Sequence, residues 1–351
     1  MRRLPVFFVL DCSESMAGDN LNKMEQGLQA IVRSLRTDPH ALETVHISVV
    51  AFAGIAQTVV PLVELASFYP PRLPLGGGTS LGTALTTLMD EIDRSVVKTT
   101  IERKGDWKPI VYLFTDGRPT DNPDAAIERW NADYARKAHL IAVGLGMAAD
   151  FATLRRFSDN VIAFEDSHED DFKKFINWVT ASVAAQSKSV AEGVDLSKTG
   201  LPVLDPTVMR LLKNPPSRVA DETCVTLVGR CNRSGKPYMM KYDRLATEVA
   251  TNDFKVKVPY QLTGCFPLDD SYFVWSDPRS ADLKVNTAEL IGTPGCPHCG
   301  NASAFAACGC GKLLCVNGPE PVICPWCKRT VAFGRSLDGE PHEFDVGRGR
   351  G

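Results

Sequence analysis

No stretch of this 351-residue chain is apolar for the length of a bilayer, which takes about 20 consecutive apolar residues, so no membrane-spanning helix is expected. Neither charge dominates. With 39 Lys and Arg against 42 Asp and Glu, the formal net charge is -3. That balance gives no general attraction to nucleic acid or an anionic lipid surface and leaves only local patches. Histidine is scarce, at six residues, and only His40 and His46 lie between Asp11 and Asp116. The shortage removes the commonest general base from that part of the chain. No secretory leader is expected either. Arg2 and Arg3 precede a short apolar run, but the run stops at Asp11 with no small-residue cleavage site, so it serves better as a first core strand. A cytoplasmic protein is expected. The remaining composition, 44% hydrophobic and 23% charged, is that of a globular chain with room for one large domain and a smaller one.

Residues 1–188 read as the first domain. The apolar run at 5–10 predicts a strand buried on both faces. Leu21, Met24, Leu28, Ile31, Val32 and Leu35 recur at helical spacing and predict a helix over 21–35. Residues 44–53 and 57–63 are β-rich around Gly54 and predict a hairpin. A helix over 80–97 places Leu81, Leu85, Leu88 and Ile92 on one face, with Ser80 as its cap and Gly82 a small cost near its start. Further strands are predicted at 109–115, 139–143 and 160–164, and helices at 124–137, 151–157 and 170–185. This alternation builds an α/β sandwich on a doubly wound, mostly parallel sheet with an antiparallel edge. Ligands of such sheets sit beyond the carboxyl ends of the strands.

Residues 189–221 are broken by Ser, Gly and Pro and read as a linker or a strap over the first domain, with one short helix near 206–212. Residues 222–351 form a C-terminal β-rich and cysteine-rich domain. Its β-like runs are 224–228, 254–258 and 271–275, and its glycine-rich tail from Gly347 is expected to be disordered. No chemically convergent set is evident over 222–290.

Three stretches carry oxygen-bearing side chains where loops leave the predicted sheet: Asp11-Cys12-Ser13-Glu14-Ser15, Gly76-Gly77-Gly78-Thr79-Ser80 and Thr115-Asp116-Gly117. Right-handed crossovers bring Asp11 and Asp116 onto one rim. Two carboxylates with the hydroxyls of Ser13, Ser15 and Thr79 suit a hard cation that retains water or accepts another acidic ligand. The start of the 80–97 helix is a further place for an anion. The triple glycine lacks the Gly-Lys-Ser/Thr ending of a phosphate loop and does not follow the first strand. Cys12 is expected to face the sheet or helix layer, since no base accompanies it as a nucleophile.

The pattern Asp11-x-Ser13-x-Ser15, Thr79 and Asp116-Gly117 resembles the metal-ion-dependent adhesion site of von Willebrand factor type A domains, and the order of elements over residues 3–188 fits as well. The resemblance implies Mg2+, with Mn2+ or Ca2+ as alternatives, contacted by Ser13, Ser15 and Thr79, with Asp11 and Asp116 acting directly or through water. It also implies capture of a partner protein rather than catalysis.

Eleven cysteines are unevenly placed: Cys12 alone, Cys224, Cys231 and Cys265 scattered, and seven between Cys296 and Cys327. Cys296-Pro-His-Cys299 and Cys324-Pro-Trp-Cys327 are knuckle-like turns 24 residues apart, and four thiolates around one Zn2+ is the simplest site they make. Cys308, Cys310 and Cys315 lie between them. They can form a second site or replace one pair, with Cys310 and Cys315 the stronger candidates. His298 is expected at the surface. A redox dithiol is disfavoured because Pro294-Gly295 precedes the first pair and residues 301–307 are too short for the usual helix. Lys312, Lys328 and Arg329 give only a modest basic patch for nucleic acid.

Together, the adhesion-type domain and the segment from Cys296 to Cys327 resemble the TerY family associated with tellurium resistance. That resemblance implies a regulatory adaptor or scaffold in a bacterial stress system, with a protein kinase or phosphatase as partner. A metal-dependent phosphatase or hydrolase using rim-activated water, and a purely structural zinc scaffold, are the alternatives.

Overall fold

The first apolar run becomes β1 (Leu4–Asp11), buried at every residue, in a computed structural model. The structure describes residues 2–102, 104–116, 118–146, 149–164, 171–191, 202, 204, 209–211, 224–244, 248–250, 255–277, 283–333 and 343–349. It divides into two units, Met1–Pro74 with Thr79–Val219, and Leu75–Gly78 with Ala220–Gly351.

In the first unit β1 is followed by α1 (Asp19–Leu35), α2 (Pro39–Thr44), β2 (Val45–Phe52), β3 (Ala56–Glu64), α3 (Leu81–Ser95), β4 (Ile110–Thr115) and α4 (Asp124–Arg129). Then come β5 (His139–Leu145), α5 (Phe151–Arg155), β6 (Asn160–Phe164), α6 (Asp171–Ala191) and β7 (Met209–Leu211). The sheet order is β3-β2-β1-β4-β5-β6-β7. The five inner strands are parallel, and β3 and β7 close the two edges antiparallel. Alternate residues of β1 serve opposite layers, as strand geometry requires. Phe7 and Val9 join Leu85, Leu88 and Trp130 in one core, while Phe8 stacks on Tyr112 and Phe114, which meets Phe175 of α6 edge-on at 5.7 Å.

Two features depart from the expected pattern. An extra helix, α2, forms because Pro39 sits at its start and Asp38 accepts the backbone N–H groups of His40 and Ala41. The helix expected at 206–212 is instead β7 at its described residues. Its Met209 is buried, and its backbone pairs with the otherwise open edge of β6. The rest of that stretch falls largely outside the described residues.

The second unit contains β8 (Cys224–Arg230), β9 (Pro237–Asp243), β10 (Glu248–Ala250), β11 (Lys255–Lys257), β12 (Tyr260–Pro267), α7 (Ser271–Trp275) and β13 (Lys284–Asn286). It continues with β14 (Leu290–Ile291), β15 (Ser303–Ala307), β16 (Leu313–Val316), β17 (Val322–Ile323), β18 (Thr330–Val331) and β19 (Asp345–Gly347). A six-stranded sheet in the order β14-β12-β9-β8-β16-β15 threads the cysteine-rich strands beside those of residues 224–267. Residues 271–275 are helical rather than extended. Asp269 accepts the Ser271 N–H at 2.8 Å, a local side-chain turn just before the helix that competes with the β preference of Tyr, Phe and Val. The tail is also ordered where it is described, since Gly347 pairs with Lys284 and the Arg348 N–H reaches the Leu283 carbonyl.

Candidate metal centres

β1 and β4 are neighbours in register, with Leu10 opposite Phe114, so their ends deliver Asp11 and Thr115 side by side. The Thr115 hydroxyl donates to Asp11 Oδ2 at 2.5 Å, and the Ser13 N–H donates to Asp11 Oδ1 at 2.9 Å. Ser13 Oγ and Ser15 Oγ share a hydrogen bond of 3.0 Å, and Ser15 Oγ donates to Asp116 Oδ1 at 2.8 Å. A continuous network therefore joins Asp11, Ser13, Ser15 and Asp116, although Asp11 and Asp116 are far apart in sequence. Gly117 lies outside the described residues.

Thr79 lies on another loop, tied to the residues that follow β2 and β4. The Ser80 N–H donates to the Ala53 carbonyl just beyond β2, at 2.7 Å. The Thr79 N–H donates to Thr120 Oγ1 at 2.8 Å, while the Thr120 N–H returns a bond to the Thr79 carbonyl at 2.9 Å. Thr79 Oγ1 itself is buried without a hydrogen-bond partner among the described residues. Leaving such an oxygen unpaired costs about 1–3 kcal/mol. An oxygen ligand waiting for a cation is one arrangement that accounts for it, and the whole donor set is of the kind hard divalent ions take. Burial is the largest influence on Asp11 and pushes its carboxyl up to about 6, against hydrogen bonds from Thr115 and Ser13. An adjacent cation would favour the ionised form. Cys12 is fully buried, and burial together with the Asp11 charge pushes its thiol well above the ordinary range.

The start of α3 is not free for an external anion. Ser80 makes no capping bond there and donates instead to the Gly54 carbonyl at 2.8 Å. Asp121 takes over the cap, accepting the N–H groups of Gly82 and Thr83 at 3.2 and 3.0 Å. Gly82 permits that approach: a Cβ there would lie 2.9 Å from Pro123 Cα and 3.0 Å from Asp121 Oδ2.

The cysteines form two groups rather than one. Cys231, Cys296, Cys299 and Cys315 make the first, and Cys308, Cys310, Cys324 and Cys327 the second, with the sulfurs of each group within 4.8 Å of one another. The expected quartet of Cys296, Cys299, Cys324 and Cys327 is thus split. The β15–β16 hairpin explains why. Cys315 stands near the end of β16 where Val316 pairs with Ser303, beside the first knuckle, while Cys308 and Cys310 occupy the turn at the other end. Each knuckle finds its second pair at its own end of the hairpin.

The sulfur spacings suit zinc. Tetrahedral coordination with Zn–S of about 2.3 Å sets sulfurs about 3.8 Å apart. Cys299–Cys315 lie 3.6 Å apart, Cys308–Cys327 3.7 Å and Cys310–Cys324 4.0 Å. Backbone N–H groups of Asn232 and Ser234 point at Cys315 and Cys231 at 3.3 and 3.4 Å, and Asn301 Nδ2 lies 3.4 Å from Cys315 Sγ. At Cys231 burial opposes ionisation, but the bonds from Ser234, Arg233 and Cys299 outweigh it and bring the thiol down to about 6. The Arg329 backbone leads in bringing Cys327 down to about 7. His298 joins neither group; it is half-buried, with Nε2 2.7 Å from the Pro237 carbonyl.

Two of these cysteines were undervalued by sequence reasoning. Cys231 has no cysteine within a knuckle's reach, and its only local signal is the tight turn closed by Gly235, at φ +70°. Cys308 was ranked below Cys310 and Cys315, yet Cys308-Gly-Cys310 supplies two members of one group.

Residues 6–178 match the von Willebrand factor type A domain, and residues 221–351 match the TerY-C metal binding domain. Among solved structures, the chain is similar to the pilus adhesin SpaC from Lactobacillus rhamnosus GG, at 12% identity and TM-score 0.43 over 53% of this chain and 31% of that one. It thus spans about a third of SpaC. It is also similar to the ArnB paralog VWA2 from Sulfolobus acidocaldarius, at 12% identity and TM-score 0.36 over 98% of this chain and 65% of that one. A third likeness is to proximal thread matrix protein 1 from the mussel byssus with a zinc-occupied MIDAS motif, at 18% identity and TM-score 0.35 over 51% of this chain and 46% of that one. No match was found among curated proteins.

Proposed function

We propose that this chain, which joins a von Willebrand factor type A domain to a TerY-C metal binding domain, is a non-enzymatic adaptor that captures a protein partner through a divalent cation. Asp11, Ser13, Ser15, Thr79 and Asp116 would hold Mg2+, or Mn2+ or Ca2+ in its place, leaving a coordination position for a carboxylate or phosphate of the partner. The observation that carries this reading is the hydrogen-bonded run from Asp11 through Ser13 and Ser15 to Asp116, supported by the buried Thr79 hydroxyl, which has no partner among the described residues. A bound ion would supply the electrophile for capture, and these oxygens would hold it.

The two cysteine groups would each hold one Zn2+ and keep the C-terminal unit folded. The finer part of the reading comes from the TerY resemblance: a cytoplasmic regulatory component of a bacterial stress or tellurium-resistance system, with a protein kinase or phosphatase as the partner. No helix among the described residues is long and apolar enough to cross a membrane.

The test is calorimetric titration of the full chain with Mg2+, followed by native co-purification with and without added Mg2+. Magnesium-free buffer replaces a chelator, which would also strip zinc. Asp116→Ala is expected to weaken Mg2+ binding at least tenfold and to lose the co-purifying partner while the fold persists by circular dichroism. A wild-type chain that binds none of the three ions, or a variant that keeps its partner undiminished, overturns the proposal.

A further inference from the structure

We propose that the Cys308, Cys310, Cys324 and Cys327 group is a peroxide modification site, where oxidation links Cys310 to Cys324 and expels the metal while the other group retains its own. This rests on the reading that each group holds one Zn2+.

The two groups share a ligand set but not an environment. In the first, Cys231, Cys296 and Cys315 are buried within the main core of the unit, among Leu227, Tyr238 and Leu313, and only Cys299 is part-exposed. In the second, Cys310 is exposed and Cys327 part-exposed. Its apolar cover is a small cluster around Leu314 and Val322. Oxidation of a thiolate requires that peroxide reach the sulfur, so exposure selects Cys310 first.

Freedom to move separates the groups as well. A disulfide needs sulfurs about 2.05 Å apart, so the 4.0 Å between Cys310 and Cys324 must close. Cys310 lies in a turn between Gly309 and Gly311, each with open space where a side chain would stand. Cys315 instead belongs to β16, which pairs with β15 and, through Leu313 and Leu314, with β8. Moving it would strain a backbone ladder on both sides.

The chemistry balances with hydrogen peroxide as the oxidant. The Cys310 thiolate attacks one peroxide oxygen, the O–O bond breaks, and a sulfenic acid and hydroxide result. The Cys324 thiolate then attacks the Cys310 sulfur, forming the S–S bond and releasing a second hydroxide. Two electrons pass from the two thiolates to peroxide, two protons from water or buffer neutralise the hydroxides, and Zn2+, reduced to two thiolate ligands, leaves.

The experiment follows zinc released from the full chain with a colorimetric zinc chelator after addition of hydrogen peroxide, with disulfides mapped by mass spectrometry. Elemental analysis first establishes two zinc ions per chain. One equivalent is expected to leave at least tenfold faster than the other, together with a Cys310–Cys324 disulfide. Cys310→His, which keeps a fourth ligand without an oxidisable sulfur, is expected to slow that fast phase at least tenfold. Release of both ions at one rate, earlier oxidation of the Cys296 group, or fast release without the disulfide overturns the proposal. A starting content below two overturns the reading beneath it, and the proposal with it.

Discussion

At the scale of single residues, the rim is defined by which polar atoms are satisfied and which are not. Ser13, Ser15, Asp11 and Asp116 are joined by hydrogen bonds, but Thr79 Oγ1 has no partner among the described residues in its buried position. Replacing it with a methyl group of similar shape should therefore act in opposite directions with and without a cation. Thr79→Val is expected to leave the Mg2+-free chain as stable or up to about 1 kcal/mol more stable, since an unpaired buried hydroxyl is removed. The same variant should lose most of the stabilisation that Mg2+ gives the parent. Urea unfolding at zero and saturating Mg2+ measures both, and destabilisation of the Mg2+-free variant by more than 1 kcal/mol would show that the hydroxyl is already paired. The adhesion-type pattern was readable from sequence because it depends on residue identity in three short stretches, each next to a legible element. The carriers of its geometry, Thr115 and Thr120, were not, because each acts through a hydrogen bond to a residue more than 40 positions away.

At the scale of elements, helix α3 shows how a residue that looks unfavourable locally can be required by packing. Gly82 lowers helix propensity by about 1 kcal/mol relative to Ala, yet it admits the loop that brings Asp121 to the first N–H groups of the helix. Gly82→Ala is accordingly expected to destabilise the chain despite its better propensity, and Asp121→Ala to cost about 1 kcal/mol as a lost cap. The double variant should show the two effects to be less than additive, which a denaturant series on all four proteins would read. The β15–β16 hairpin sets a second element-level outcome, because it holds one cysteine group at each end. Cys231→Ser should reduce bound zinc from two to one, whereas Cys265→Ser, outside both groups, should leave two. Elemental analysis of the purified variants decides this; two ions in Cys231→Ser would show that Cys231 is not a required ligand and that another pairing holds.

Over the whole molecule, the two units draw stability from different sources. The first has a sheet whose β1 and β4 are buried at every residue, with apolar layers on both faces. The second counts Cys231, Cys296 and Cys315 among its own core residues. A small unit built around thiolates gains much of its folding free energy from metal. Zinc removal with a strong chelator is therefore expected to abolish amide-exchange protection across residues 224–333 while β1 and β4 stay protected. Equal protection of both regions after complete zinc loss would show that the apolar part of the second core suffices.

The sequence by itself determined the α/β sheet of the first unit, because continuous apolar runs and helical periodicity are local signals repeated over many residues. It also singled out Asp11, Ser13, Ser15, Thr79 and Asp116 as a proposed ligand set, since each follows or precedes a legible element. Tertiary structure alone decided how the cysteines are shared. Cys231 comes from a strand end more than 60 residues before Cys296, and only the pairing of β16 with β8 on one side and β15 on the other fixes which sulfurs meet. Residues 271–275 illustrate the same limit, since their β-forming side chains form a helix behind the side-chain turn of Asp269. Spacing names the ligand types; proximity across a sheet chooses the partners, because hydrogen-bonded strands bring together sulfurs that the chain keeps far apart.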